Sequence, residues 1–368
     1  MKELTTLIFV GCLLIACPTA SAQVEQFTLS SNILNEDREV YVQLPLSYDP
    51  QAKYPVVFLT DAQFHFNMVS DALQMLYQGG FPKVILVGIP HKDRLKDLTA
   101  SKTDESPTSG GALSFLRFIK EELLPELSAK YAISKYKVLM GHSAGGLFSV
   151  FAMVNEPLLF NAHIAITPTV RWDNLAIFKT FPVRFFDDFV TQKKRLFLGL
   201  GNEVGKEREG VVQLKELFES HLADSPQFTY TEFLDESHST VPWVGYWAGL
   251  KTVFGAFKLS NYRDLPLDDI VKYYARVGAE YDADIRVPQR ILLDLGTTAM
   301  EKKEYSLAKI IFEYYSENYP KIPFPKRYLG DIHFEQGNFK TAKNCYLQAL
   351  DIFPSEYVKS KIAEIDGL

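Results

Sequence analysis

The sequence predicts an α/β domain with a doubly wound, mostly parallel sheet, followed by a small all-α domain. Two observations lead to this prediction. From residue 25 to about residue 258, short apolar segments alternate with amphipathic segments of helical period, which is typical of strands covered by helices on both faces. After residue 260 the strand pattern stops, and helical segments with a regular spacing follow.

The predicted strands have the composition of a buried parallel sheet. Several are continuous runs of valine, isoleucine and leucine rather than alternating patterns. The strands are predicted at 39–44, 55–60, 83–89, 136–140, 163–167, 195–200 and 227–234. Helices are predicted between them at 67–78, 111–130, 144–155, 207–223 and 241–257.

A spacing of 34 residues relates two segments near the C-terminus. They follow a linker with one predicted helix (267–281). The residues Leu295-Gly296, Ala308, Phe312 and Pro320 recur as Leu329-Gly330, Ala342, Tyr346 and Pro354. Small residues let paired helices pack closely, so the spacing predicts two tetratricopeptide-like repeats. Two repeats are too few to bury a core alone. We therefore expect them to pack on the α/β domain, on helix 267–281 or on a second subunit.

The first 22 residues have the pattern of a signal peptide. Residues 7–17 form an apolar run too short to span a bilayer, and Ala20-Ser21-Ala22 is a small-residue cleavage site. The pattern predicts a periplasmic or secreted protein. The alternative is a lipoprotein anchored through Cys17, because residues 14–17 resemble a lipobox, and membrane attachment is expected only in that case. Cys345 is the one cysteine that clearly remains after cleavage, so no internal disulfide is expected.

The predicted organisation thus has four parts. A signal peptide (1–22) precedes the α/β domain (23–260), a linker with one helix (261–289) and the repeats (290–368). The formal net charge of −6 and the absence of a lysine and arginine cluster argue against a nucleic-acid partner. Neither a CxxC nor an HExxH zinc pattern occurs, and no metal or organic cofactor is expected.

The segment Gly141-His142-Ser143-Ala144-Gly145 fits the G-x-S-x-G pattern. The pattern alone is weak evidence, but here a predicted strand enters it and an apolar helix leaves it. That strand–turn–helix context is what a nucleophile elbow requires, and it predicts an α/β-hydrolase with Ser143 as the nucleophile. The glycines leave room for the chain to reverse, and the helix N-terminus favours a developing oxyanion.

A base and an acid are predicted after the serine in the chain. His238 lies on a loop after the last strand, where the base of an α/β-hydrolase belongs. The other histidines are in the elbow, in regular elements or before the serine. Glu203 follows strand 195–200 and is the predicted acid that orients His238. The carboxylates considered less suitable are Glu207, Glu209, Asp235 and Glu236.

The oxyanion hole is predicted from two amides. One belongs to Ala144, and the other to Ala62 or Gln63 in the loop after strand 55–60. Aromatic residues around the expected pocket would suit an apolar or aryl acyl group, or could equally be core. The predicted pocket residues are Phe64, His142 and Trp172, with Phe66, Trp243 and Tyr246 nearby.

Together these segments resemble the putative esterase family, which includes esterase D-like and ferric-enterobactin esterase-like hydrolases. The matching segments are VYVQLPLSYDP, YPVVFLTDAQFHF, VGIPHKDRLKDLT, VLMGHSAGG, AITPTVRWDN and LDESHSTVP, within residues 38–242. The resemblance implies an α/β-hydrolase that cleaves carboxylic esters, often of a siderophore or a small acyl group. It supports Ser143 and His238 most directly, and it implies a structural ion-pair role for Arg94 and Asp97.

The sequence therefore predicts an exported serine esterase that hydrolyses carboxylic esters through an acyl-enzyme intermediate. The net negative charge argues mildly against a strongly anionic ferric siderophore. Acyl transfer to another acceptor remains an open alternative. A second alternative is a catalytically silent binding module whose repeats dock a partner protein. The repeats could also form a homo-oligomer.

Overall fold

The computed structural model describes residues 24–222 and 225–367, and it confirms the α/β-hydrolase fold followed by an all-helical region. The predictions for the signal peptide and for Cys17 lie outside these residues. One eight-stranded sheet has the order β1-β2-β4-β3-β5-β6-β7-β8. Its strands are β1 (Val24–Ser31), β2 (Glu36–Gln43), β3 (Tyr54–Thr60), β4 (Ile85–Ile89), β5 (Ile133–His142), β6 (Ala162–Ile166), β7 (Arg195–Leu200) and β8 (Phe228–Glu232).

The direction of the strands places the candidate site. β1 pairs antiparallel with β2, and β2 pairs antiparallel with β4. The other pairings are all parallel, from β4 through β3, β5, β6 and β7 to β8. The carboxyl ends of these six strands therefore meet at one edge of the sheet, where ligands of open α/β sheets bind.

Ten helices of the described chain surround the sheet or follow it directly. The predicted helix 111–130 is divided into two α-helices by a π-helical turn at Ile119–Leu123. The helices are α1 (Ala62–Gln78), α2 (Arg94–Leu98), α3 (Ala112–Phe118), α4 (Leu124–Lys130), α5 (Ala144–Asn155), α6 (Trp172–Leu175), α7 (Phe185–Thr191), α8 (Gly205–Leu222), α9 (Val241–Val253) and α10 (Leu267–Tyr281). No helix in the described ranges is both long and apolar enough to cross a bilayer.

Five further helices form the C-terminal region. They are α11 (Gln289–Glu301), α12 (Tyr305–Asn318), α13 (Pro323–Glu335), α14 (Phe339–Ile352) and α15 (Glu356–Asp366). Leu292 and Phe312 belong to the same apolar core as Ile270 of α10 and Val57 of β3. The repeats therefore pack on the α/β domain and on α10, two of the three surfaces considered.

The repeated glycines explain the spacing of 34 residues physically. A Cβ atom added at Gly296 would lie 2.5 Å from the ring of Phe312, and one added at Gly330 would lie 2.5 Å from the ring of Tyr346. In each repeat, the ring of one helix occupies the space that the absent side chain leaves on the helix before it. Glycine and the aromatic residue must therefore recur together.

Candidate active site

Ser143 lies on a strained turn between β5 and α5. Its backbone has φ 59° and ψ −119°, a conformation that side-chain-bearing residues rarely adopt. The turn is possible because Gly141 and Gly145 touch: a Cβ added at Gly141 would lie 2.3 Å from the Gly145 backbone. The amide of Ser143 donates to the carbonyl of Ile166 at 2.9 Å, which fixes the turn on the neighbouring strand. This arrangement has the strand–turn–helix geometry that a nucleophile elbow requires.

His238 and Glu203 are brought together at the same edge. His238 Nδ1 lies 2.7 Å from Glu203 Oε1, so the ring donates to the carboxylate. Glu203 comes from the loop after β7, and His238 from the loop after β8. With Nδ1 engaged in this way, the Nε2 atom of His238 is the nitrogen left to act as a base.

The Ser143 hydroxyl makes a hydrogen bond that the sequence analysis missed. Its Oγ lies 3.1 Å from Oγ1 of Thr169, in the loop after β6. In the described part of the chain it makes no hydrogen bond to His238. Catalytic hydrogen bonds are often long before substrate binds, so this geometry is compatible with a Ser143–His238 pair. A threonine in AITPTVRWDN carries no pattern that would identify this contact from sequence.

His142 packs beside the candidate base. Its ring centroid lies 4.5 Å from that of His238, and the side chain is buried. Burial, together with the neighbouring His238, His65 and Arg94, lowers the pKa of His142 to about 3. His142 is therefore neutral at physiological pH, and it supports one side of the His238 ring. Its role as a pocket residue stays a prediction.

The predicted oxyanion amides lie at two helix N-termini. Ala144 opens α5, and Ala62 and Gln63 open α1 after Asp61, whose φ is 55°. None of these three amides donates to a protein acceptor within the described ranges. The first amides of a helix have no partner inside the helix, and they carry its positive end. These amides are thus available to a developing oxyanion.

Two separate ion pairs support this edge of the sheet. Arg94 donates from Nε to Asp61 at 2.8 Å and from Nη2 to the carbonyl of His142 at 3.0 Å. Arg94 thereby ties the start of α1 to the elbow. Asp97 instead accepts from Arg38 at 2.6 Å and from His91 at 2.8 Å. Burial raises the pKa of Asp97, but these two hydrogen bonds outweigh it and hold the pKa below its ordinary value.

The aromatic residues considered for the pocket fall into two groups. Phe64 is 70% exposed and Trp243 is 55% exposed, so both have surface available to a ligand. Trp172 is half-buried and donates from Nε1 to the carbonyl of Ser101 at 3.2 Å. Phe66 and Tyr246 are buried in the core, so they do not line a pocket.

Potential metal ligands do not converge at this edge. Across residues 24–222 and 225–367, no group of three or more histidine, cysteine, aspartate and glutamate side chains is arranged to hold a metal ion. The described side chains that lie at this edge include a serine hydroxyl, a histidine ring and a carboxylate.

Two protein families match parts of the chain, and both resemblances are confirmed. Residues 31–195 match the putative esterase family, and residues 324–356 match a tetratricopeptide repeat. The chain is 31% identical over an alignment of 191 residues to the ferri-bacillibactin esterase BesA of Bacillus subtilis; the match covers 45% of this chain and 64% of the relative. It is 26% identical over an alignment of 178 residues to the siderophore triacetylfusarinine C esterase of Aspergillus fumigatus; that match covers 44% of this chain and 60% of the relative. The chain thus spans less than two thirds of either relative.

A solved structure supports the fold assignment. The IroE-like serine hydrolase of Shewanella oneidensis superposes with a TM-score of 0.67 at 23% sequence identity. The superposition covers 79% of this chain and 98% of that structure. At this identity the similarity establishes the fold alone.

Proposed function

We propose that this chain, whose residues 31–195 match the putative esterase family, is a serine esterase that hydrolyses carboxylic esters. The observation that carries the proposal is the 2.7 Å contact between His238 and Glu203 at the sheet edge that also presents Ser143 on its elbow. A strained nucleophile turn is costly to keep in a protein with no use for it. The geometry therefore favours an enzyme over a catalytically silent binding module.

In the proposed mechanism, Ser143 Oγ attacks the ester carbonyl while His238 Nε2 takes its proton. Glu203 holds the His238 ring and stabilises the imidazolium that forms. The amides of Ala144 and of Ala62 or Gln63 stabilise the oxyanion. His238 then returns the proton to the alcohol that leaves. Water then attacks the acyl-enzyme while His238 takes its proton, and Ser143 Oγ leaves and regains a proton from His238.

The names of the two relatives make siderophore esters the first substrate class to test. Exposed Phe64 and Trp243 near the site favour an acyl group with apolar or aromatic surface. Small aryl esters are therefore the second class. Whether the acyl group passes to water or to another alcohol is decided by product analysis in the presence of an added alcohol acceptor.

We further propose that the protein is exported and that its repeats bind a partner protein or a second copy. Export rests on the pattern of residues 1–22, and the repeat proposal rests on the tetratricopeptide match. Detection in a periplasmic or culture fraction tests export. Size-exclusion chromatography with light scattering tests self-association.

The test of the esterase proposal is labelling of the mature protein with a fluorophosphonate probe, with the modified peptide located by mass spectrometry. We expect one label per chain at Ser143. Ser143→Ala should lose the label and at least about a thousand-fold in kcat/KM. Ser128→Ala, an exposed serine on α4, is the matched control and should label normally. A folded wild-type protein that takes no label would contradict the proposal.

A further inference from the structure

A second hydroxyl lies against the candidate nucleophile. Thr169 Oγ1 is 3.1 Å from Ser143 Oγ, and the Thr169 amide donates to the Ser143 carbonyl, also at 3.1 Å. Among the described residues, each of the two hydroxyls has the other as its one hydrogen-bond partner. Thr169 therefore touches the atom that would react, and it is attached to the elbow by its backbone as well.

The loop before Thr169 is held in a strained conformation. Thr167 is β-branched and buried, yet its φ is 38°. Two hydrogen bonds hold it there: its amide donates to the Gly199 carbonyl at 2.7 Å, and its hydroxyl accepts from the Gly201 amide at 3.0 Å. A residue in such a conformation is strained, and the conformation persists where the surroundings enforce it. Strain of this kind concentrates at functional sites.

Close packing on the other side leaves the loop little freedom. A Cβ added at Gly146 of α5 would lie 3.1 Å from Cα of Pro168. Pro168 is thus packed directly on α5, and the proline ring restricts the backbone of the loop further. The Thr169 hydroxyl is held beside Ser143 by three features together. These are the constrained backbone of Thr167, the packing of Pro168, and the hydrogen bond from the Thr169 amide.

We propose that Thr169 is a further catalytic residue, whose hydroxyl donates a hydrogen bond to Ser143 Oγ while the serine proton moves to His238. This proposal rests on the proposed esterase function. When Thr169 is the donor, the proton of Ser143 is free to point at the base. Negative charge that develops on Oγ then meets a donor already in place, and hydrogen bonds to charged groups are stronger than neutral ones.

The same contact acts twice in the catalytic cycle. In acylation, Oγ gains negative charge as it attacks the carbonyl carbon. In deacylation, Oγ is the leaving group and gains negative charge again, until His238 returns the proton to it. The Thr169 proton stays on Thr169 throughout, and no bond to Thr169 forms or breaks. Loss of the hydroxyl should therefore slow both half-reactions.

The experiment compares two substitutions at Thr169. Thr169→Val keeps the shape of the side chain without the hydroxyl, and Thr169→Ser keeps the hydroxyl without the methyl group. The measured quantity is the second-order rate constant for fluorophosphonate labelling of Ser143, which reports attack by Oγ alone. We expect a roughly ten- to hundred-fold lower rate for Thr169→Val and a rate within about three-fold of wild type for Thr169→Ser.

A pH profile and a third variant separate chemistry from packing. The labelling rate of Thr169→Val should have a lower plateau but the same midpoint as wild type, because the base is unchanged. Thr169→Ala places no apolar methyl group beside Oγ, and it should show the same loss as Thr169→Val. It also serves in place of Thr169→Val if that variant does not fold.

Two results would overturn the assignment of Thr169 while the esterase proposal stands. In the first, the variants without a hydroxyl label as fast as wild type. In the second, Thr169→Ser is as slow as they are, which would make the methyl group the part that matters. Failure of folded wild-type protein to label would overturn both proposals together.

Discussion

Glycine serves different physical needs in the two regions of this molecule. In the α/β domain, Gly141 and Gly145 allow two backbone segments to touch beside the strained Ser143. In the repeats, Gly296 and Gly330 have ordinary helical backbones and make space for a ring of the next helix. The first pair enforces a backbone conformation that presents a side chain. The second pair enforces only how closely two helices pack.

The regions also differ in how firmly they join the main core. The ring of Phe312, which covers Gly296, belongs to the core that extends into the α/β domain. The ring of Tyr346, which covers Gly330, belongs to a small cluster with Ala342 and Val358. The comparison teaches that substitutions at the α/β edge can change reactivity as well as stability. Substitutions in the repeats should change stability alone, globally near α10 and locally toward the C-terminus.

The largest expected effect is on activity in the α/β domain. Glu203→Gln should lower kcat/KM by roughly a thousand-fold or more, because the amide no longer fixes the His238 tautomer or stabilises its charge. The melting temperature should change little. Steady-state kinetics on an aryl ester measure the effect. Glu209→Gln, on exposed α8 surface, is the control and should retain wild-type kcat/KM. Equal losses in both variants would remove Glu203 from its proposed role.

A buried and an exposed ion pair give the next contrast. Arg94→Met should cost about 3 kcal/mol of unfolding free energy, because it leaves the Asp61 carboxylate, 1% exposed, without its cation. Lys343→Met breaks the exposed pair with Asp366 in the repeats and should cost less than about 0.5 kcal/mol. Urea unfolding measures both. The double variant Asp61→Asn with Arg94→Met should recover part of the loss. Similar losses for the two single variants would argue against this difference between the regions.

Substitution of the repeat glycines tests whether the attachment of the repeats to the main core weakens toward the C-terminus. Gly296→Ala and Gly330→Ala should each cost about 1–3 kcal/mol by overpacking against a ring, with kcat/KM unchanged. Gly296→Ala should lower global stability, whereas Gly330→Ala should mainly speed hydrogen exchange in α14 and α15. Gly255→Ala is the control, since its Cβ would meet no atom within 4 Å. Relief of the Gly296→Ala defect by Phe312→Leu would identify the ring as the cause, and an unchanged defect would not.

The last contrast is a pH dependence of stability. Burial lowers the pKa of His142 to about 3, so the unfolded chain binds one more proton than the folded chain between pH 6.5 and that value. Its contribution is complete above pH 6.5 and is lost as the pH falls. His142→Phe should reduce the slope of unfolding free energy by up to about 1.4 kcal/mol per pH unit near pH 5.

His333 in the repeats is the comparison for this pH effect. Burial lowers the pKa of His333 too, but its side chain is less enclosed. The unfolding free energy decreases as the pH falls, and His333→Phe should therefore remove a smaller part of that decrease than His142→Phe does. Urea unfolding at several pH values between 4 and 7 measures both losses. A larger effect at His333 would contradict the expectation that the more enclosed His142 contributes the larger acid-dependent change.

Much of the fold could be predicted because its signals are local. Several buried parallel strands are continuous apolar runs, and seven of the eight strands in the described chain were predicted from such runs and from the alternation of strand and helix patterns. β1 was missed because its residues alternate between exposed and half-buried at the edge of the sheet. The short helices α2, α6 and α7 were missed because their five, four and seven residues are too few to show a helical period. In α6, Asp173 and Asn174 also have left-handed backbones.

The candidate site was predictable to different degrees. Ser143 could be predicted because the glycines that its sharp turn requires lie within the same five residues, Gly141 to Gly145. His238 follows from its place after the last strand. Glu203 was the predicted acid among several carboxylates, and the structure brings it to His238. The pairs of Arg94 with Asp61 and of Asp97 with Arg38 were not predicted, because each joins two distant segments of the chain.

The sequence by itself determined the elbow, the order of the candidate catalytic residues and the register of the repeats. Each of these depends on packing between residues close in the chain or at a constant spacing. Tertiary structure alone decided two contacts that were not predicted: Ser143 and Thr169 are 26 residues apart, and Asp61 and Arg94 are 33. These contacts join loops at the ends of different strands, and their geometry depends on how the strands align in the sheet. No local pattern in the chain carries that information.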